Sequence, residues 1–281
     1  MSQSQRKVLI IGASGTVGSA LVEILKQKGV PFARATSKTN LEADQVHVDL
    51  AKTSDLGPAF KNVDRVFLLA PPGHTNQDEL LKPVIDKAKE SGVKKIVMMS
   101  AMGANADETA PLRKAEIQVE RSGLSYNIIR PNWFMQNFNT FWIGGILQQG
   151  KILLPVGKAK ASFIDARDIA AVAAELLLGD RYANQAFDLT GAEAIDHDQA
   201  AKALSEVTGK DIQFQDITPE EMRPGLLGAG LPPAYTEFLL TILNYLKLGY
   251  AERVTDSVEK ITGRKPLSFH AYAKDYKKSW L

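Results

Sequence analysis

Short apolar runs alternate with amphipathic stretches along the first half of the chain. Strands are predicted at 7–12, 30–36, 45–49, 65–70, 95–100 and 126–130. Helical periodicity lies between most of them, most clearly over 78–90, where Ser91-Gly92 ends it. The first helix shows Val17, Leu21, Ile24 and Leu25 on one face and is stopped by Gly29. This alternation predicts right-handed βα units and a doubly wound parallel α/β sheet with helices on both faces. Ligands of such sheets bind beyond the carboxyl ends of the strands, so the residues just after each strand carry the functional interest.

The pattern changes near Gln148. Residues 162–165 read as a short strand, 166–178 as an alanine-rich helix, 187–190 as another sheet strand and 198–207 as a helix. Beyond Gln215 the chain is mostly helical, with Pro219, Pro224, Pro232 and Pro233 dividing it into short pieces. The expected organisation is a nucleotide-binding Rossmann core at 1–150. Residues 151–281 are then expected to complete the sheet and add a small, mostly helical C-terminal lobe closing over the ligand, the whole forming one structural unit. Residues 239–248 are apolar enough for a core helix, with an oligomer contact as the alternative.

The sharpest signal is Lys7-Val8-Leu9-Ile10-Ile11-Gly12-Ala13-Ser14-Gly15-Thr16-Val17-Gly18. An apolar strand is followed by three glycines at three-residue spacing and then a helix. Gly12 permits the sharp exit from the strand, Gly15 a close approach of backbone to phosphate, and Gly18 close packing of helix on sheet. The backbone N–H groups around Ala13, Ser14, Thr16 and Val17, with the helix dipole, favour a dinucleotide pyrophosphate. A purely structural βα turn is the competing reading.

The end of the second strand bears on which nicotinamide coenzyme fits. No acidic residue lies between Glu23 and Glu42 to accept from a ribose 2′-OH, whereas Arg34, Ser37 and Lys38 offer partners for a 2′-phosphate. NADP(H) is therefore expected ahead of NAD(H), although Lys38 also reads as a solvated loop lysine. Asp49 and Leu50 are expected beside the adenine. Leu69, Ala70 and Pro71 are expected along the ribose and nicotinamide, unless Pro71-Pro72 is only a rigid turn.

Composition narrows the classes. A formal net charge of +2 gives no support for a nucleic-acid or anionic-membrane surface. The absence of cysteine excludes a disulfide framework, a thiol nucleophile and cysteine metal sites. His47, His74, His197 and His270 are scattered and form no ligand motif, so no metal is expected. The polar MSQSQRK start shows no signal peptide and no apolar stretch is long enough to cross a bilayer, so a cytoplasmic protein is expected.

Ser100 ends the fifth strand and Lys114 stands near the start of the next helix, where a short-chain dehydrogenase places catalytic groups. The tyrosine of a Tyr-x-x-x-Lys site is missing: position 110 is alanine, and the first tyrosine in the chain is Tyr126. A tyrosine-driven alcohol dehydrogenase or nucleotide-sugar epimerase is disfavoured. Lys114 can still bind the nicotinamide ribose or donate toward a substrate, with an ordinary surface lysine as the alternative.

The glycine motif, Lys114-Ala115-Glu116, the stretch Ser122-Gly123-Leu124-Ser125-Tyr126-Asn127-Ile128-Ile129-Arg130-Pro131-Asn132-Trp133-Phe134-Met135-Gln136-Asn137, and Ile164-Asp165-Ala166-Arg167-Asp168-Ile169-Ala170 together resemble the NmrA-like atypical short-chain dehydrogenases/reductases. The resemblance runs over nearly the whole chain, and its general character is closest to the azo-dye reductase branch. It implies flavin-free NAD(P)H reduction of azo dyes, triphenylmethane dyes or quinones, or else redox sensing by a regulator that binds NADP without turnover. It assigns Lys114 to catalysis and the residues after Pro131 to the substrate side, among them Trp133, Phe134, Asn137 and Phe138. Trp133, Phe134, Met135, Phe138, Phe141 and Trp142 form an aromatic-rich run suited to stacking flat conjugated substrates. About two of them are expected to face a ligand while the rest pack beneath the C-terminal lobe. Asp165 and Asp168 are expected to anchor the turn and cap the helix. The chemistry implied is hydride transfer to an electron-poor conjugated centre, with the proton from solvent or Lys114. Cleaving an azo bond to two amines takes four electrons and so two NADPH. Partners are expected to be small aromatic molecules, with the chain a monomer or small homo-oligomer.

Overall fold

The computed structural model describes residues 7–52 and 55–281, so the polar segment 1–6 lies outside the described residues. In chain order the elements are β1 (Lys7–Ile10), α1 (Thr16–Gln27), β2 (Phe32–Thr36), β3 (Gln45–His47), β4 (Val63–Leu69), α2 (Gln77–Glu90), β5 (Lys95–Met99), α3 (Pro111–Glu120) and β6 (Ser125–Pro131). There follow α4 (Ile143–Gln149), β7 (Lys151–Leu154), α5 (Ala166–Leu178), β8 (Gln185–Leu189), α6 (His197–Thr208), β9 (Gln213–Asp216), α7 (Pro219–Gly228), α8 (Pro233–Lys247), α9 (Ser257–Thr262) and α10 (Phe269–Asp275). Two compact units emerge: Met1–Pro131 with Ile169–Asp188, and Asn132–Asp168 with Leu189–Leu281.

In the first unit a seven-stranded sheet runs in the order β3-β2-β1-β4-β5-β6-β8, with neighbours from β1 to β6 paired in parallel. This is the doubly wound α/β arrangement that the alternating pattern predicts. Strand order reverses between β1 and β4, and in such sheets that reversal opens a crevice at the carboxyl edge. Leu9, Ile11, Val66, Leu68, Ile96 and Met98 join a core completed by Leu81, Val84, Ile85 and Ala88 of α2 and by Ala115 and Val119 of α3. The alternate positions Val8, Ile10, Phe67 and Val97 point to the other face and are equally buried. Burial on both faces is why these strands read as unbroken apolar runs. At the amino edge Lys95 is fully buried and its Nζ donates to Gly179 O at 2.6 Å, placing a cation at the end of α5.

The second unit is built on a core of Phe138, Phe163, Phe269, Tyr272 and Trp280, with Trp280 Nε1 donating to Phe138 O at 3.0 Å. Three sequence expectations change here. Residues 162–165 do not form a strand, because only the isolated bridges Phe134–Ile164 and Ala161–Ile195 exist. The Ser162 hydroxyl spends itself on the carbonyl of Arg253 at 2.8 Å. Second, β7 and β9 pair in parallel as a small separate sheet, unanticipated because Gln213-Phe214-Gln215-Asp216 carries a single apolar residue. Third, Pro224 sits inside α7 instead of ending it. A capping box starts that helix, with Glu221 N donating to Thr218 Oγ1 at 3.2 Å and Thr218 N donating to the Glu221 carboxylate at 2.7 Å. Helix α8 buries Thr236, Leu240, Leu243 and Leu246, as a core helix requires.

His197, the first residue of α6, is wholly enclosed by the rings of Phe138, Trp142, Phe163 and Phe214 at centroid distances of 6.0, 5.8, 5.4 and 5.3 Å. Neither ring nitrogen finds a hydrogen-bond partner among the described residues. Burial pushes its pKa from 6.5 down to about 4, opposed by the nearby charges of Asp196 and Asp198. The unfolded chain therefore binds the proton first. Stability is complete above about pH 6.5 and falls by about 3 kcal/mol as pH drops toward 4. All three tryptophans, Trp133, Trp142 and Trp280, belong to this unit, so denaturant titrations followed by tryptophan fluorescence at a series of pH values read its unfolding. His197→Phe is expected to flatten that acid slope; an unchanged slope contradicts the assignment.

Among the described residues no helix is long and apolar enough to cross a membrane, and no group of three or more His, Asp or Glu side chains could hold a metal ion.

Candidate coenzyme and active site

Strand register brings the candidate residues of the first unit to one edge. Ile10 pairs with Arg34 and with Phe67, Leu69 with Met99, and Met99 with Ile129. Gly12, Thr36, Leu69, Met99 and Ile129 therefore lie level, and the residues following them share the carboxyl edge. The loop after β1, the segment Ser37-Lys38, Ala70-Pro71, Ser100 and Pro131 all belong to that edge.

The loop leaving β1 is set by two glycines. Gly12 takes φ +74°, and a Cβ there would stand 2.9 Å from Leu69 Cδ1 on β4. Gly18 is tighter still: a Cβ would fall 2.1 Å from Gly12 O and 2.8 Å from Ala13 Cα. The turn closes with Gly15 N donating to Gly12 O at 3.0 Å. Helix α1 then begins with Gly15 as its N-cap and no side chain bonding its first-turn N–H groups, while Ser14, Gly15 and Thr16 are exposed. An uncapped helix N-terminus behind a loop that has no room for a Cβ at Gly12 or Gly18 is a fitting cradle for a pyrophosphate. Ala13 and Val17 are buried and hold the loop to the core.

The segment after β2 differs from its expected role in one respect. Arg34 does not stand free: it points within the strand and is gripped by Asp44, with Nε to Oδ2 at 2.8 Å and Nη2 to Oδ1 at 2.6 Å, and by a further short bond to Glu42. Those bonds hold its pKa above the usual arginine value and the Asp44 carboxyl below the usual carboxylate range. The gap from Glu23 to Glu42 in sequence hid this, because the approach to β3 folds both acids back onto β2. Ser37 and Lys38 remain exposed beyond the strand. Their loop is fixed by Lys38 N donating to Thr36 Oγ1 at 3.2 Å and by a contact of His47 Nδ1 with Lys38 O at 3.1 Å. Asp49 accepts from Ala51 N at 3.1 Å, and Leu50 packs half-buried on the core.

Lys114 lies in the first turn of α3, exposed, and its Nζ takes no hydrogen-bond or ion-pair partner among the described residues. Beside it runs a buried charge network. Glu116 has no exposed surface and accepts from Arg130 Nε at 2.8 Å, Arg130 Nη2 at 2.7 Å and Arg113 Nη1 at 2.9 Å. Burial pushes the Glu116 pKa up, but the bonds from Arg130 and Arg113 outweigh it and leave the carboxyl below its usual range. The buried Ser100 hydroxyl faces this carboxylate without completing a well-directed hydrogen bond. Arg113 also binds Glu120 at 2.7 Å. The network was missed from sequence, although Glu116 stands on the same buried helix face as Ala115 and Val119, and Arg130 directly follows the buried pair Ile128-Ile129 on β6. Opposite charges at two buried positions are the signal.

Within the second unit, the run after Pro131 divides by exposure. Met135 and Phe138 are fully packed into the core, Phe138 edge-on to Trp142 at 4.8 Å and to Phe163 at 5.2 Å. Trp133, Phe134, Asn137 and Trp142 are half-buried, and Phe141 is 70 % exposed. Phe138 thus supports the neighbouring rings and offers no surface of its own. Asp165 anchors its turn, accepting from Arg167 N at 2.8 Å and Gln136 Nε2 at 3.0 Å. Asp168 instead binds Leu267 N at 2.7 Å and Arg264 Nη1 at 2.5 Å.

Residues 12–180 match the model of the family described as NAD(P)H-binding. The NAD(P)H azoreductase of Xenophilus azovorans is 32 % identical over 95 % of this chain and 96 % of its own length. Two solved structures share the fold at 22 % identity. Triphenylmethane reductase of Citrobacter sp. has a TM-score of 0.83, covering 97 % of this chain and 99 % of that one. The NADPH complex of the quinone oxidoreductase from Escherichia coli has a TM-score of 0.79, covering 95 % and 99 %. The chain belongs to the NAD(P)H-binding family and is an NAD(P)H-dependent oxidoreductase.

Proposed function

We propose that this protein is an NADPH-preferring reductase of electron-poor conjugated aromatic acceptors, of the azo, triphenylmethane-dye or quinone type. The observation that carries the reading is the cradle at 12–18, where a Cβ at Gly18 would overlap Gly12 O and the N-terminus of α1 is left uncapped. Bound there, reduced nicotinamide supplies the hydride. The chain's own residues hold, orient and protonate. The loop N–H groups take the pyrophosphate. Ser37 and Lys38 take the 2′-phosphate, with Arg34 as a reserve partner restrained by Asp44 and Glu42. The unpaired Lys114 ammonium donates a proton, which accounts for chemistry without a tyrosine at position 110. The half-buried and exposed rings of Trp133, Phe134, Phe141 and Trp142 supply the stacking surface that a flat acceptor needs. The name of the Xenophilus azovorans relative supports the azo-type acceptor.

The test is coenzyme consumption, NADPH against NADH, with a panel of azo dyes, quinones and triphenylmethane dyes. Turnover with at least one class, and a higher kcat/KM for NADPH, is expected. Lys38→Ala should lower the NADPH value by about tenfold, one lost phosphate contact, and leave NADH unchanged. Lys114→Met should lower kcat with little change in coenzyme affinity. Tight NADP binding with no turnover on any acceptor would instead identify a sensor.

A further inference from the structure

The Arg34 guanidinium has two edges that can grip an anion, and the fold fills them unequally. Its side edge, Nε with Nη2, is taken by Asp44 through both carboxylate oxygens at 2.8 and 2.6 Å. The backbone reinforces that grip, with Arg34 N donating to Asp44 O at 2.8 Å where the chain enters β3. The end edge, Nη1 with Nη2, is covered only by Glu42, through one short bond from Nη2. Nη1 has no partner among the described residues. The Glu42 side chain is 69 % exposed against 40 % for Asp44, so its hold is the weaker of the two. The Glu42 backbone is nevertheless fixed. Its N–H donates to Gln45 Oε1 and its carbonyl accepts from Gln45 N, each at 3.0 Å. Turning the Glu42 side chain about its own bonds is therefore enough to clear the end edge, with no movement of the loop.

We propose that Glu42 is a coenzyme-selecting residue: it covers the end edge of Arg34 and yields that edge to the 2′-phosphate of NADP(H). This rests on the reading of the edge beyond β2 as the place of the adenosine ribose. Folds of this type read the ribose there, with an acid for a 2′-OH or an arginine for a 2′-phosphate. Here both kinds of group stand together, on a strand position that pairs with Ile10 at the end of β1. Two parallel N–H groups suit a phosphate as they suit a carboxylate. Asp44 stays on the side edge and keeps the guanidinium plane in place during the exchange. Charge sets the sign of the effect. Arg34 and Lys38 balance Glu42 and Asp44, so a phosphate arriving beside an undisplaced Glu42 meets like charge at close range. Glu42 thus weakens NADP(H) and leaves NAD(H), which brings no 2′-phosphate, untouched.

Isothermal titration with NADPH and with NADH, on the parent, Glu42→Gln, Arg34→Leu and the double variant, closes a cycle. Glu42→Gln is expected to tighten NADPH by about fivefold, leave NADH unchanged and keep the parent's thermal midpoint. Arg34→Leu is expected to weaken NADPH by about tenfold, again without effect on NADH. In the Arg34→Leu background the gain from Glu42→Gln should vanish, because the edge it frees is gone. A Glu42 that only staples the loop gives a different result: the glutamine variant then melts lower and shifts both coenzymes alike, which overturns the proposal. An unchanged NADPH affinity overturns it too, as does a gain that persists without Arg34. A parent that binds neither coenzyme overturns the underlying reading of the site along with it, so the two failures are told apart.

Discussion

Gly18→Ala is expected to lose nicotinamide coenzyme binding by about 100-fold or more, equivalent to about 2.7 kcal/mol, and to unfold at a lower temperature. The new methyl would sit 2.1 Å from Gly12 O and 2.8 Å from Ala13 Cα, both backbone atoms with no rotamer to yield. Either α1 lifts from the sheet or the loop after β1 is displaced. Lifting exposes the faces of Val17, Leu21 and Leu25, which are fully buried. Displacement moves the N–H groups away from the pyrophosphate. Overpacking of this severity costs about 3 kcal/mol, or about 6–12 °C in midpoint for a chain of this size. Coenzyme fluorescence and a thermal melt on the same preparation measure both. A variant that binds NADPH like the parent and melts at the same temperature removes the close packing of α1 from the account.

The second large effect lies one layer below the edge. Glu116→Gln leaves the Arg130 guanidinium buried without its counter-charge, and a loss of about 3–5 kcal/mol is expected. Glu116→Leu combined with Arg130→Met should recover most of that stability, since both charges leave together. The coupling between the two sites is then read from the double-mutant cycle. Catalysis should not recover with stability. Arg130, Arg113 and Glu116 fix α3 against β6, and with it the setting of Lys114 and Ser100. The pH dependence has a definite sign: Glu116 is held below its ordinary range, so its contribution is complete above about pH 4.5 and fades as pH falls through the lowered value. That window lies below most of the one assigned to His197, and urea titrations on the two variants separate them. Equal damage from the single and the double substitution would contradict a paired-charge role.

The first unit was largely legible because its physics is local and periodic. Apolar runs buried on both faces, glycines that no other residue replaces at 12 and 18, and the helix stop at Gly29 each leave a one-dimensional trace. Strand ends shifted by up to two residues, since pairing rather than hydropathy decides where a ladder stops. What stayed hidden was long-range. The acids on Arg34 come from the next strand's approach, so the gap between Glu23 and Glu42 suggested a free guanidinium where the fold supplies a clamped one. The Glu116–Arg130 pair joins a helix and a strand fourteen positions apart. In the second unit the strand at 162–165 dissolved into isolated bridges, and β9 escaped notice because its pairing with β7 is carried by backbone. Pro224 marks a break in sequence, yet the capping box at Thr218 and Glu221 carries α7 past it. Of the aromatic run, composition alone did not separate Phe138, which is core, from Phe141, which is exposed.

The central claim is that the loop from Gly12 to Gly18 and the open end of α1 hold a pyridine dinucleotide. Isothermal titration of the full chain with NADPH and with NADH tests it most directly. One site per chain is expected, with NADPH bound more tightly than NADH. The absence of measurable heat with either coenzyme, from a preparation that melts cooperatively, would contradict it.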